Sequence, residues 1–165
     1  MLNYGAYAQQ AFGYHTDRLA AELADVSTVT AETLAPFANS GSQGTALAPL
    51  YATSLILKTE TTMRLIFAPD ATVEALTATV NNNAVSVTDK NGYALVNITN
   101  ISAKDLDTAY TVTINDGVET ADVTYNPMTY CYNVLKDTTG TFDATTKDLV
   151  RALYLYNQTA NNYFT

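Results

Sequence analysis

The run Tyr110-Thr111-Val112-Thr113-Ile114-Asn115-Asp116-Gly117-Val118-Glu119-Thr120-Ala121-Asp122-Val123-Thr124-Tyr125 reads as an antiparallel hairpin. Tyr110, Val112 and Ile114 alternate with threonines, the two-residue period of a strand with one buried face. Asn115-Asp116-Gly117 supplies side chains that accept a tight turn, and Val118 to Tyr125 leads back.

Upstream, the same signals recur. Leu50 to Thr59 and Thr62 to Ala68 are rich in β-branched and aliphatic residues around a polar turn at Glu60 and Thr61, and predict two further arms. Val73 to Val80 and Val85 to Thr88 flank Asn81, Asn82 and Asn83, residues suited to a left-handed turn. Asp89-Lys90-Asn91-Gly92 turns the chain into a strand from Tyr93 to Ile98. There, polar Asn97 falls in register with Tyr93 and Leu95, which calls for a bulge or for burial on both faces.

Helical spacing governs the ends. Tyr4, Tyr7, Ala8, Ala11 and Phe12 make one stripe over Leu2 to Phe12, with Gly13 as its stop. A second helical stretch carrying Leu19, Ala20 and Leu23 is expected behind a Thr16 or Asp17 cap. Ser27 to Pro49 reads as loop with a helical turn near Thr30 to Phe37. Past Tyr125, Asn126 is placed as an N-cap and Pro127 as the first helical residue. A last helix from about Thr145 to Phe164 bears Leu149, Val150, Leu153, Tyr156, Ala160 and Tyr163 or Phe164.

These elements predict one α+β domain over residues 1–165: an antiparallel sheet or β-sandwich of about six to eight strands, with N- and C-terminal helices packed against it. Within it, 1–49 is helix and loop, 50–125 the β-rich core, and 126–165 a helical pair.

Composition narrows the function. With 165 residues, 47% hydrophobic and 15% charged, the chain is long and apolar enough to bury a core. Eight basic against 16 acidic residues give a charge of -8, which repels nucleic acid and anionic lipid. Neither nucleic acid nor membrane insertion is expected, since no apolar run nears the roughly 20 residues of a membrane helix. One cysteine, Cys131, excludes an internal disulfide, and with one histidine it cannot build the common Cys/His zinc sites. A cysteine-avoiding secreted protein fits a Gram-positive surface, and no metal or cofactor is expected.

Tyr4, Ala8 and Phe12 match Tyr156, Ala160 and Phe164 at a constant offset of 152. Such self-similarity marks one unit of a tandem array, a pseudosymmetric helix pair within one domain, or a coincidence between two amphipathic helices rich in alanine, tyrosine and amide residues. Leu2-Asn3-Tyr4-Gly5-Ala6-Tyr7-Ala8-Gln9-Gln10, Phe12-Gly13-Tyr14, Tyr125-Asn126-Pro127-Met128-Thr129-Tyr130 and Leu149-Val150-Arg151-Ala152-Leu153-Tyr154 resemble modules in large secreted surface proteins of gut Clostridia. The resemblance implies an extracellular or cell-surface, multimodular setting and carries over no site residues.

No catalytic arrangement stands out. His15 lies past a helix end, and Cys131 reads as a buried small residue rather than a thiol nucleophile. Asp105 with Asp107, or Glu119 with Asp122, are the available carboxylate pairs, and nothing singles them out. Asp89-Lys90-Asn91-Gly92 and Asp105-Leu106-Asp107 carry oxygen ligands without a calcium-loop pattern. Lys58, Lys90 and Lys104 are the candidates for a lysine–asparagine crosslink of the adhesin kind. The expectation is a non-catalytic structural or protein-interaction module whose partners are neighbouring modules or surface proteins. The alternative is a carbohydrate-binding module using exposed tyrosines, of which Tyr51, Tyr93 and Tyr110 on strands are the candidates.

Overall fold

The computed structural model describes residues 2–38 and 41–164, and the side chain of Phe164 lies outside that description. The expected match of the Phe12 side chain to that of Phe164 therefore falls outside the described residues. The fold is α+β: two antiparallel four-stranded sheets, with helices at the N- and C-terminal ends. The chain divides into two compact units. One comprises the described part of Met1–Ala38, Ala103–Asp107 and Cys131–Thr165; the other comprises that of Asn39–Ser102 with Thr108–Tyr130.

The β unit is made of four hairpins that alternate between sheets. β1 (Leu50–Leu57) and β2 (Thr61–Phe67) enter the first sheet, β3 (Thr77–Val80) and β4 (Asn83–Val85) the second. β5 (Val87–Lys90) and β6 (Tyr93–Ile101) return to the first, and β7 (Tyr110–Asn115) with β8 (Thr120–Tyr125) close the second. The spatial orders are β1-β2-β6-β5 and β4-β3-β7-β8. The tight turns need left-handed backbone, and asparagine or glycine supplies it: Asn81 and Asn82 have φ of 47° and 67°, Asn91 and Gly92 of 55° and 83°.

Alternation places Met63, Leu65 and Phe67 of β2 beside Ile98, Val96 and Ala94 of β6, all buried. Val112, Ile114, Ala121, Val123 and Tyr125 make the buried face of the second sheet. The Tyr125 hydroxyl reaches Thr53 Oγ1 at 3.0 Å, tying β8 to β1. The other face of the second sheet is threonine-rich and hydrogen-bonds across strands, as Thr113 Oγ1 does to Asp122 at 2.7 Å. β6 is buried on both faces at Ala94, Leu95 and Val96, one of the two outcomes expected from its broken alternation. β6 also carries an extra residue, between Ile98 and Ile101 opposite Met63 and Thr61, where Asn100 takes a φ of 56°; β1 has a second irregularity between Leu50 and Ala52.

Two strands differ from expectation. Val73–Ala75 forms a 3-10 turn, so β3 begins only at Thr77. The predicted strand Val85 to Thr88 breaks at Ser86, with its first half in one sheet and its second in the other.

In the helical unit, α1 (Leu2–Phe12) and α3 (Ala144–Phe164) pack together, with Ala6, Tyr7, Leu149, Ala152 and Leu153 buried. The Tyr7 hydroxyl donates to the Ala24 carbonyl, and Arg151 Nε donates to the Val29 carbonyl at 3.0 Å, so the intervening segment is held by both helices. The expected helix around Leu19, Ala20 and Leu23 does not form; turns and bends replace it. Gln9 explains this: its Oε1 accepts from the Ala20 amide at 2.7 Å and its Nε2 donates to the Arg18 carbonyl at 3.1 Å. Those two backbone groups are thereby bonded to Gln9 instead of to a helical ladder. The short 3-10 turn Ala35–Phe37 sits where a helical turn was expected. α2 (Pro127–Lys136) starts as its cap predicts, with Asn126 Oδ1 accepting from the Met128 amide at 2.8 Å.

Candidate functional site

The three tyrosines singled out from sequence divide two and one. Tyr51 sits in the irregularity of β1, the extra residue of that strand. Tyr93 opens β6, two strands away across β2. Their rings nevertheless meet, with centroids 4.8 Å apart and planes tilted by 38°. Tyr51 remains 64% exposed, so one ring of the pair faces solvent. The adjacent Tyr51 hydroxyl, chiefly through a hydrogen bond, pushes the Tyr93 phenol above its ordinary pKa. Tyr110 belongs to the other sheet and lines a separate cleft with Asn81, Asn83 and Asn97.

A second aromatic pair was foreshadowed by the repeat. Tyr4 and Tyr156, the matched positions, stack with centroids 5.2 Å apart and planes 8° from parallel. Both belong to the helical unit and border a cavity of about 90 Å³ with Asn3, Val26 and Leu155. Burial, then Tyr156 and then Cys131, push the Tyr4 phenol up to about 12.

The remaining candidates have structural surroundings. Cys131 is buried and its thiol is pushed up to about 12, chiefly by burial, so the nucleophilic thiolate is suppressed. His15 is exposed and lies edge-on to Tyr14, ring centroids 4.2 Å apart. Asp107 accepts from Asn161 Nδ2 at 3.0 Å, and Asp122 is engaged by Thr113. Asp89 caps its own turn by accepting from the Gly92 amide at 2.9 Å. Lys58, Lys90 and Lys104 are all exposed, whereas a side-chain crosslink needs a shielded, desolvated lysine. Among the described residues, no three His, Cys, Asp or Glu side chains cluster as a metal site would require, and no helix is long and apolar enough to cross a membrane.

A further feature escaped the sequence reading, the free edge of β1. Among the described residues, backbone pairing on its far side is confined to the Leu50 amide, which donates to the Gln43 carbonyl at 3.1 Å. The strand Leu50-Tyr51-Ala52-Thr53-Ser54-Leu55-Ile56-Leu57 carries no charge and no proline. Edge status depends on strand order, which composition does not encode. Compared with known proteins, the chain matches no family model, no curated protein and no solved structure.

Proposed function

We propose that this chain is a non-catalytic, extracellular structural or protein-interaction module of a bacterial surface protein, joining like modules through the β1 edge. The observation that carries the reading is that edge. A row of unpaired backbone groups on an uncharged strand, regular in register from Ala52 to Leu57, is a template for another strand, and isolated domains ordinarily block it. The other three edges here are blunted. β5 carries Asp89 and Lys90, β4 is three residues long, and β8 is bordered by Ser42 and Gln43 through the Thr124 amide and a bridge to Val123.

A second copy fits β1 in antiparallel register about Ser54. Thr53 then opposes Leu55, and Ala52 opposes Ile56, each pair sharing a face, with no like charges brought together. The suppressed Cys131 thiolate and the solvent-facing His15 support the non-catalytic part of the reading. Sedimentation velocity over a wide concentration range tests the edge. Reversible self-association abolished by Ser54→Lys is the expected result, and a monomer at every concentration contradicts it.

Carbohydrate binding is the second reading, favoured by the exposed Tyr51 ring beside Tyr93. Sugar C–H faces stack on such rings, and a glycan screen with Tyr51→Ala and Tyr93→Ala tests the reading. Saturable binding lost in these folded variants supports it.

A further inference from the structure

The strand that changes sheets leaves an opening behind it. β4 ends at Val85, β5 begins at Val87, and the pairing of β5 with β6 stops at Val87 opposite Val96. β6 continues to Ile101 without β5, and a cleft of about 280 Å³ lies along Asn97, Ile98 and Thr99. Val80, Val85 and Ile98 supply apolar surface; Asn81, Asn83, Asn97, Thr99 and Tyr110 supply polar groups. No charged side chain lines it.

The three amides are oriented by bonds that occupy one end of each. Asn81 Oδ1 accepts from the Thr111 amide at 2.9 Å, leaving its Nδ2 to donate. Asn97 Oδ1 accepts from Arg64 Nε at 2.9 Å, again leaving Nδ2. Asn83 Nδ2 donates to the Asn81 carbonyl at 3.2 Å, leaving Oδ1 to accept. The left-handed turn at Asn81 and Asn82 holds two of these residues in place before any ligand arrives.

We infer that this cleft binds one ring of a neutral saccharide. An ionic ligand would lose hydration in a cleft whose own lining carries no charge, the Arg64 guanidinium being bonded to Asn97 rather than lining it. A purely apolar ligand would leave the amides unpaired. A sugar ring presents hydroxyls that both donate and accept, together with C–H faces that suit the Val80, Val85, Ile98 and Tyr110 surfaces. The volume lies near the lower bound of small-molecule pockets, roughly 300 Å³, and so suits a single ring. The inference rests on the carbohydrate reading and moves recognition from the Tyr51–Tyr93 pair to the crossover cleft.

The test is calorimetric titration of the whole chain with neutral cello-, manno- and chito-oligosaccharides, with the asparagine side-chain amides followed by NMR. The expected result is saturable binding that shifts the Asn81, Asn83 and Asn97 amide signals. Asn83→Ala combined with Thr99→Ala should weaken it by about tenfold, the scale of one or two lost hydrogen bonds, while Tyr51→Ala leaves it unchanged. Thr99→Ala alone, at an exposed position, keeps the test valid if the double variant misfolds. Binding lost with Tyr51→Ala and retained in the cleft variants would overturn the cleft and leave the carbohydrate reading standing. No binding to any of the oligosaccharides would overturn both.

Discussion

Thr129, on α2, is buried, and its hydroxyl has no hydrogen-bond partner among the described residues. A hydroxyl removed from water without compensation costs stability, so Thr129→Val, nearly the same in shape, should stabilise the fold by about 1 kcal/mol. Urea unfolding reads the difference, and an unchanged or lowered midpoint would show that the hydroxyl is satisfied. Cys131 and Tyr4 make a pH prediction. Both hold their protons to about 12 in the folded chain, chiefly because burial disfavours the charged forms, against ordinary values of 9.0 and 10.0. The unfolded chain releases those protons first. Their contribution to stability is therefore fully present below about pH 9 and is lost as pH rises towards about 12. Unfolding midpoints measured across that window should fall steadily, and a flat profile would contradict the burial of these groups. The Cys131 thiol should also resist alkylation until the chain is unfolded.

At the scale of elements, α2 shows how a short signal can fix a boundary. Asn126, buried at the helix start, bonds the Met128 amide, and Pro127 follows without an amide to satisfy. Asn126→Ala should cost about 1 kcal/mol, read as a lower urea midpoint with an unchanged slope; no loss would mean the cap is dispensable. This boundary, the hairpin around Asn115-Asp116-Gly117 and the stripes of α1 and α3 were legible because their determinants are local. The break at Ser86 was not, because alternation along Val85 to Thr88 is the same whether one sheet or two receives it. The failed helix at Leu19 to Leu23 has a tertiary cause, the Gln9 side chain taking backbone groups eleven and nine residues away. The same reason separates the candidate tyrosines. Tyr51 and Tyr93 meet only because β1 and β6 flank β2, while the strand order assigns Tyr110 to the second sheet, and neither fact is written in spacing.

Across the whole chain, hairpins alternate between two sheets, and this order accounts for both proposed sites. Handing the strand from β4 to β5 opens the cleft beside Asn97, and beginning the β unit with β1 leaves that strand at an edge. With three edges blunted and β1 uncharged, strand pairing through β1 is the proposed main mode of contact. The most direct measurement is residue-resolved amide exchange of the intact chain at low and high concentration. Protection of the outward-facing β1 amides between Ala52 and Leu57 should rise with concentration while that of β5 stays constant. Rapid exchange at those β1 positions, unchanged at every concentration, would contradict the interaction reading.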